Sequence, residues 1–66
     1  MQFVMPKLFY AYRIERRDQN GDILEHIAGI DDLEVANAAY EAARKRWPGQ
    51  CITLRQGALF IEDSRR

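Results

Sequence analysis

A chain of 66 residues makes one domain near the lower size limit, with a small core that self-association or a bound partner would reinforce. Its 47% hydrophobic and 30% charged residues describe a folded, soluble domain rather than a disordered one. Ten Lys and Arg balance ten Asp and Glu, a net charge of zero that argues against nucleic-acid binding by bulk positive charge and against an all-acidic DNA mimic.

The opening Met1–Pro6 is too short for the apolar core of a signal peptide and lacks a cleavage pattern. No apolar run approaches the roughly 20 residues of a membrane span, so a cytoplasmic protein with no membrane partner is expected. Residues 1–6 either extend the first strand through Phe3 and Val4 or hang free.

Residues 7–17, KLFYAYRIERR, are rich in aromatic and branched side chains and predict a strand. Asn20-Gly21 then predicts a two-residue type I′ turn, whose central positions both need positive φ, with residues 22–28 as the returning strand. This register sets Gln19 against Asp22, Glu15 against His26 and Ile14 against Ile27. Side chains alternate along each strand. One face then carries Leu8, Tyr10, Tyr12, Ile14, Ile23 and Ile27, with Arg16 opposite Glu25 as an exposed ion pair at its rim. The other carries Phe9, Ala11, Arg13, Glu15, Arg17, Leu24, His26 and Ala28.

Asp31 reads as a helix N-cap, with Glu34 completing a capping box. The helix is expected over about residues 32–46, stopped by Trp47-Pro48-Gly49. Leu33, Ala36, Tyr40, Ala43 and Trp47 form its apolar stripe. Asp31, Asp32 and Glu34 suit the positive end of the helix dipole, and Arg44, Lys45 and Arg46 suit the negative end.

The last residues form a second hairpin. With Gln56-Gly57 as its turn, Ile52, Leu54, Leu59 and Ile61 share one face, and Cys51, Thr53, Arg55, Ala58, Phe60 and Glu62 share the other. Residues 64–66 are a tail. The whole is a single α+β domain over residues 1–66, a β-β-α-β-β chain folded as one four-stranded antiparallel sheet with one helix packed on one face. Strand order stays open.

Little here points to catalysis. His26 opposite Glu15 forms a carboxylate–histidine pair with no nucleophile placed to use it, and reads most simply as a solvated cross-strand pair. Cys51, the only cysteine, allows no intrachain disulfide and no thiolate metal cluster. The nearest helix end in sequence is a C-terminus, which would not activate the thiol. There is no phosphate-binding glycine loop and no Cys-x-x-Cys pair. Asp22 and Glu25 fall on opposite faces of their strand, which argues against paired-carboxylate chemistry. No enzymatic activity, cofactor, metal or small-molecule substrate is expected.

The open face of the sheet is the feature that points to function. Phe9, Arg13, Arg17, Arg55 and Phe60 lie on it, and arginines with interspersed aromatics serve protein hot spots. They also serve nucleic-acid contacts by stacking and phosphate binding. The plainer alternative is a wet face on which arginine stems cover stray apolar residues. A second basic group, Arg44, Lys45 and Arg46 with Arg65 and Arg66, can hold phosphates or simply end a helix and a tail.

The Asn-Gly hairpin, the Ala-rich helix closing on Trp-Pro-Gly and the Gln-Gly hairpin resemble small β-β-α-β-β proteins of bacteria and phages, some anti-CRISPR proteins among them. The resemblance covers the layout of residues 7–63. It implies a protein that works by binding, covering a surface of a protein–nucleic-acid machine or touching DNA. The expectation is therefore a small non-enzymatic protein that docks on a protein partner, or forms a homodimer, through the open face or an edge strand. A phage or prophage-type inhibitor is its sharpest form. The alternative is a nucleic-acid-binding module using the Arg and Phe side chains of the same face.

Overall fold

The computed structural model describes residues 10–65. The expectations placed on residues 1–9, Leu8 and Phe9 included, and on Arg66 lie outside the described residues. The elements are β1 (Tyr12–Arg17), β2 (Ile23–Ile30), α1 (Leu33–Arg46), β3 (Cys51–Gln56) and β4 (Leu59–Asp63). All four strands join one antiparallel sheet in the order β2-β1-β3-β4. The fold is thus α+β with the expected β-β-α-β-β order, and the pairing of β1 with β3 settles the strand order.

The first hairpin turns differently from the Asn-Gly expectation. The Gly21 N–H donates to the Asp18 carbonyl at 3.1 Å, and the Asp18 N–H to the Asp22 carbonyl at 2.9 Å. Gly21 takes φ 88°, while Asn20 does not adopt positive φ. This is a three-residue loop with the left-handed residue last. Asp18 favours it, because its Oδ1 accepts from the Asn20 N–H at 2.9 Å and the Asp22 N–H at 3.0 Å.

Two bulges in β2 then change which residues share a face. Glu15 stays opposite His26 and Arg16 opposite Glu25, but Ile14 pairs with Ala28 and Arg17 with Ile23. Ala28 therefore packs against the core instead of lying on the open face. Ile23 is exposed rather than covered. Tyr10, expected under the helix, is 40% exposed, and its ring lies against Gly29. A Cβ on Gly29 would come within 2.4 Å of that ring, so only glycine admits this approach.

The helix begins one residue later than expected. Asp32 is the N-cap, its Oδ1 accepting from the Val35 N–H at 2.9 Å. Asp31 Oδ1 accepts instead from the Ala11 N–H at 2.9 Å, tying the start of β1 to the helix entry. Position N3 is then Val35, so no capping box forms, and Glu34 serves as a first-turn anion at the dipole's positive end. At the other end the Trp47 N–H donates to the Ala43 carbonyl before Pro48 stops the helix.

Ala36, Tyr40 and Ala43 of the stripe pack on Ile14, Ile52 and Leu54, with Tyr12, Ile27, Ala28, Ile30, Trp47 and Ile61 around them. Burying each of the three large aliphatics stabilises the fold by about 1.5–3 kcal/mol. Burial pushes the Tyr40 hydroxyl up from its ordinary pKa. Leu33, in the first helical turn, lies outside this cluster at 42% exposure.

The second hairpin also departs from its expected register. Gln56 pairs with Leu59 and Arg55 with Phe60, so the turn residues are Gly57 and Ala58. Gly57 has φ 59° and Ala58 is not left-handed, the pattern of a type II′ turn. A bulge beyond this point sets Leu54 against Glu62. The helix lies over β1, β2 and β3 but not β4. Leu59 is consequently 63% exposed, not buried.

Candidate interaction face

Glu15 lies at the centre of the side of the sheet that the helix leaves open. It sits on β1, an interior strand, between His26 on β2 and Thr53 on β3. Its side chain is 0% exposed. Alternation along β1 puts Arg13 and Arg17 on the same side. The antiparallel pairing of β1 with β3 brings Arg55 opposite Arg13, one step from the carboxylate.

The carboxylate is held from three sides. Arg55 donates from Nε to Oε1 at 2.5 Å and from Nη2 to Oε2 at 2.8 Å, a bidentate grip. Arg17 Nη2 donates to Oε1 at 3.0 Å. His26 Nδ1 lies 3.3 Å from Oε2. The expected carboxylate–histidine pair is thus real, but it belongs to a larger assembly than a solvated cross-strand contact.

Both guanidiniums also reach backbone. Arg17 Nη1 donates to the Gly21 carbonyl at 2.7 Å, and its Nε to the buried Thr53 hydroxyl at 3.1 Å. Arg55 Nη1 donates to the Gly57 carbonyl at 2.8 Å. The network therefore runs across the open face from one hairpin turn to the other. The bonds from Arg55 hold the Glu15 carboxyl below its ordinary pKa, against the opposing pull of burial, and Arg17 adds to the effect. Glu15 in turn raises the Arg55 guanidinium above its usual value. A buried ion cluster of this kind costs desolvation of every member, and its bonds from Arg55 tie β3 to β1 across the open face.

Apolar groups flank the network. Phe60 lies opposite Arg55 on β4, with Arg17 Cζ 5.0 Å from its ring centroid. Phe60 and Leu24 are 42% and 53% exposed. The Arg13 side chain makes no ion pair or hydrogen bond among the described residues. It borders a shallow depression with Tyr10, His26 and Gly29. Of the residues expected to meet a partner, Arg17, Arg55 and Phe60 stand together around Glu15, and Arg13 stands beside them.

The sequence reading placed Glu15 on the correct face but missed it as the hub. The missing link is Arg55, which lies 40 residues away in the chain. Its proximity depends on the β1–β3 pairing, which no local pattern encodes.

Cys51 is buried, and its Sγ lies 3.8 Å from Asp63 Oδ1. Burial, reinforced by the Asp63 charge, pushes the thiol up, the opposite direction from the lowered value of an activated thiolate. Among the described residues no group of three or more His, Cys, Asp or Glu is placed to hold a metal ion. No helix among them is long and apolar enough to cross a membrane.

No family model, no curated protein and no solved structure matches the chain.

Proposed function

We propose that the chain is a non-enzymatic binding protein, acting in the cytoplasm, that docks on a protein surface through the open face of its sheet. One observation carries this reading: two of the three arginines on that face are already engaged by the buried Glu15 carboxylate, which offsets one of their two charges, while Phe60 and Leu24 beside them remain exposed. Arginine side chains held by a buried carboxylate, with exposed aromatic and aliphatic groups beside them, suit the centre of a protein interface. A nucleic-acid backbone calls instead for several uncommitted cations, and Arg13 is the one arginine of this face without a carboxylate partner among the described residues.

A second copy of the chain is the first protein surface to test. Among the described residues seven hydrophobic side chains are buried, Ala36, Ala43 and Cys51 included, which is a thin core for independent stability. Tyr10, Leu24 and Phe60 would be covered by face-to-face association. In its sharpest form the protein is a phage-type inhibitor of the anti-CRISPR kind, covering a surface of a protein–nucleic-acid machine.

Light scattering over a range of concentrations, with and without a short DNA duplex, tests the reading. A mass rising toward twice 7.7 kDa supports self-association. Phe60→Ala should then weaken it while leaving circular dichroism unchanged. A monomer at all concentrations whose mass shifts with DNA at low salt, and returns as salt rises, would replace this reading with the nucleic-acid one.

A further inference from the structure

Helix α1 ends on three consecutive cations, Arg44, Lys45 and Arg46. Trp47, Pro48 and Gly49 then turn the chain into β3, and the segment after β4 folds back beside this turn. Ser64 fastens it. Its hydroxyl donates to the Gln50 carbonyl at 3.0 Å and accepts from the Ile52 N–H at 2.8 Å. Its own N–H donates to the Ile52 carbonyl at 2.9 Å. The Arg65 N–H is held in turn by Asp63 Oδ1 at 3.0 Å. These bonds fix Arg65 across from the helix end, and a cleft lies between them, lined by Arg44, Lys45, Trp47, Gly49, Ser64 and Arg65.

The cleft carries surplus positive charge. Arg44 pairs with Glu41, which also lines the cleft, at 3.3 Å, and Arg65 pairs with Asp63 at 3.5 Å. Arg44, Glu41 and Arg65 are each about half exposed in these pairs, so a bound anion can compete with the carboxylates. Lys45 makes no ion pair among the described residues. Arg46 stacks on Trp47, its Cζ 5.5 Å from the ring. Among the described residues four cations thus meet two carboxylates at this end of the molecule. The helix C-terminus contributes about half a negative charge, which does not cancel the difference.

We propose that this cleft binds a phosphate group. Arg44 and Lys45 approach from the helix and Arg65 from the opposite wall, which suits a tetrahedral anion of more than one charge and several acceptor oxygens. A single carboxylate would leave the surplus uncompensated. The site shares no residue with the Glu15 network, so it stands or falls independently of docking through the open face.

Trp47 is the only tryptophan of the chain and lines the cleft, so its fluorescence reports occupancy. The full chain is titrated with pyrophosphate at an ionic strength held constant with sodium chloride, and separately with a short single-stranded oligonucleotide. A saturable change in Trp47 emission is expected. Its midpoint should rise about tenfold or more in a Lys45→Ala, Arg65→Ala double variant whose circular dichroism is unchanged.

An oligonucleotide response that pyrophosphate displaces also supports the site, and names a nucleic-acid backbone as the source of the phosphate. A response to pyrophosphate alone supports it and names a small polyphosphate. No response to either ligand beyond that of matched sodium chloride overturns the proposal. So does a midpoint unmoved in the double variant, or an oligonucleotide response that pyrophosphate does not displace.

Discussion

Arg55 on β3 grips the Glu15 carboxylate on β1 with two parallel hydrogen bonds, at 2.5 and 2.8 Å, between residues 40 positions apart in the chain. Glu15 is wholly buried while the Arg55 side chain keeps 20% of its surface exposed. The pair is therefore asymmetric. The carboxylate depends on its arginines, whereas the arginines can still turn toward water.

That asymmetry sets the cost of removing either partner. Arg55→Ala strands part of a buried anion and should destabilise the fold by roughly 3 kcal/mol, the lower end for a broken buried pair, because Arg17 remains. Glu15→Gln keeps the shape and leaves two arginines with solvent access, so it should cost less, about 1–2 kcal/mol. Urea unfolding of both variants measures this. Equal costs, or a larger loss for Glu15→Gln, would show that the network is not organised around the carboxylate.

Stability should fall on acidification. Glu15, held below its ordinary pKa chiefly by the bonds from Arg55, binds its proton less readily folded than unfolded. A carboxyl depressed in this way contributes its full stability above the unfolded value, about 4.3, and loses it as pH falls through the folded value. Asp63 acts in the same direction: burial would raise it, but the Arg65 N–H and guanidinium outweigh that and hold it low. Melting temperature should therefore drop between about pH 5 and pH 2, and Glu15→Gln should flatten part of that slope. A variant with the same acid dependence as the parent would remove Glu15 from the account.

The two central strands should be far more sensitive to truncation than the edge strand β4. Ile14→Ala or Ile52→Ala empties a site at 1% or 0% exposure and should cost about 2–4 kcal/mol. Leu59→Ala removes a side chain that is 63% exposed and should change stability by no more than about 0.5 kcal/mol. Thermal or urea unfolding of the three variants decides it. A cost for Leu59→Ala near that of Ile14→Ala would place Leu59 in the core.

Local chemistry was enough to read the element order. Alternation marked the strands, an acidic cap and the Trp-Pro-Gly stop marked the helix, and a glycine stood in each hairpin turn. Ala36, Tyr40, Ala43, Ile14, Ile52 and Leu54 were legible as core because their spacing matches the helix and strand periods. The pairings of Glu15 with His26 and Arg16 with Glu25 matched the count from a two-residue turn, because a bulge in β2 offsets the extra residue of the actual three-residue loop.

What the sequence left undecided turns on single-residue shifts and on long-range pairing. A bulge inserts one residue and sends the next side chain to the other face, at little energetic cost that any local pattern records. That is how Ala28 entered the core and Ile23 left it. Leu59 alternates correctly for burial, yet it is exposed because the helix does not extend over β4. The Glu15 network needed β1 to lie beside β3, which is settled by burying the apolar face of β1, β2 and β3 under one helix. The chain's own residues determined which segments become strand and helix, through local propensity and period. Only the assembled sheet decided which charged groups meet, because burying a carboxylate is tolerable where distant arginines converge on it.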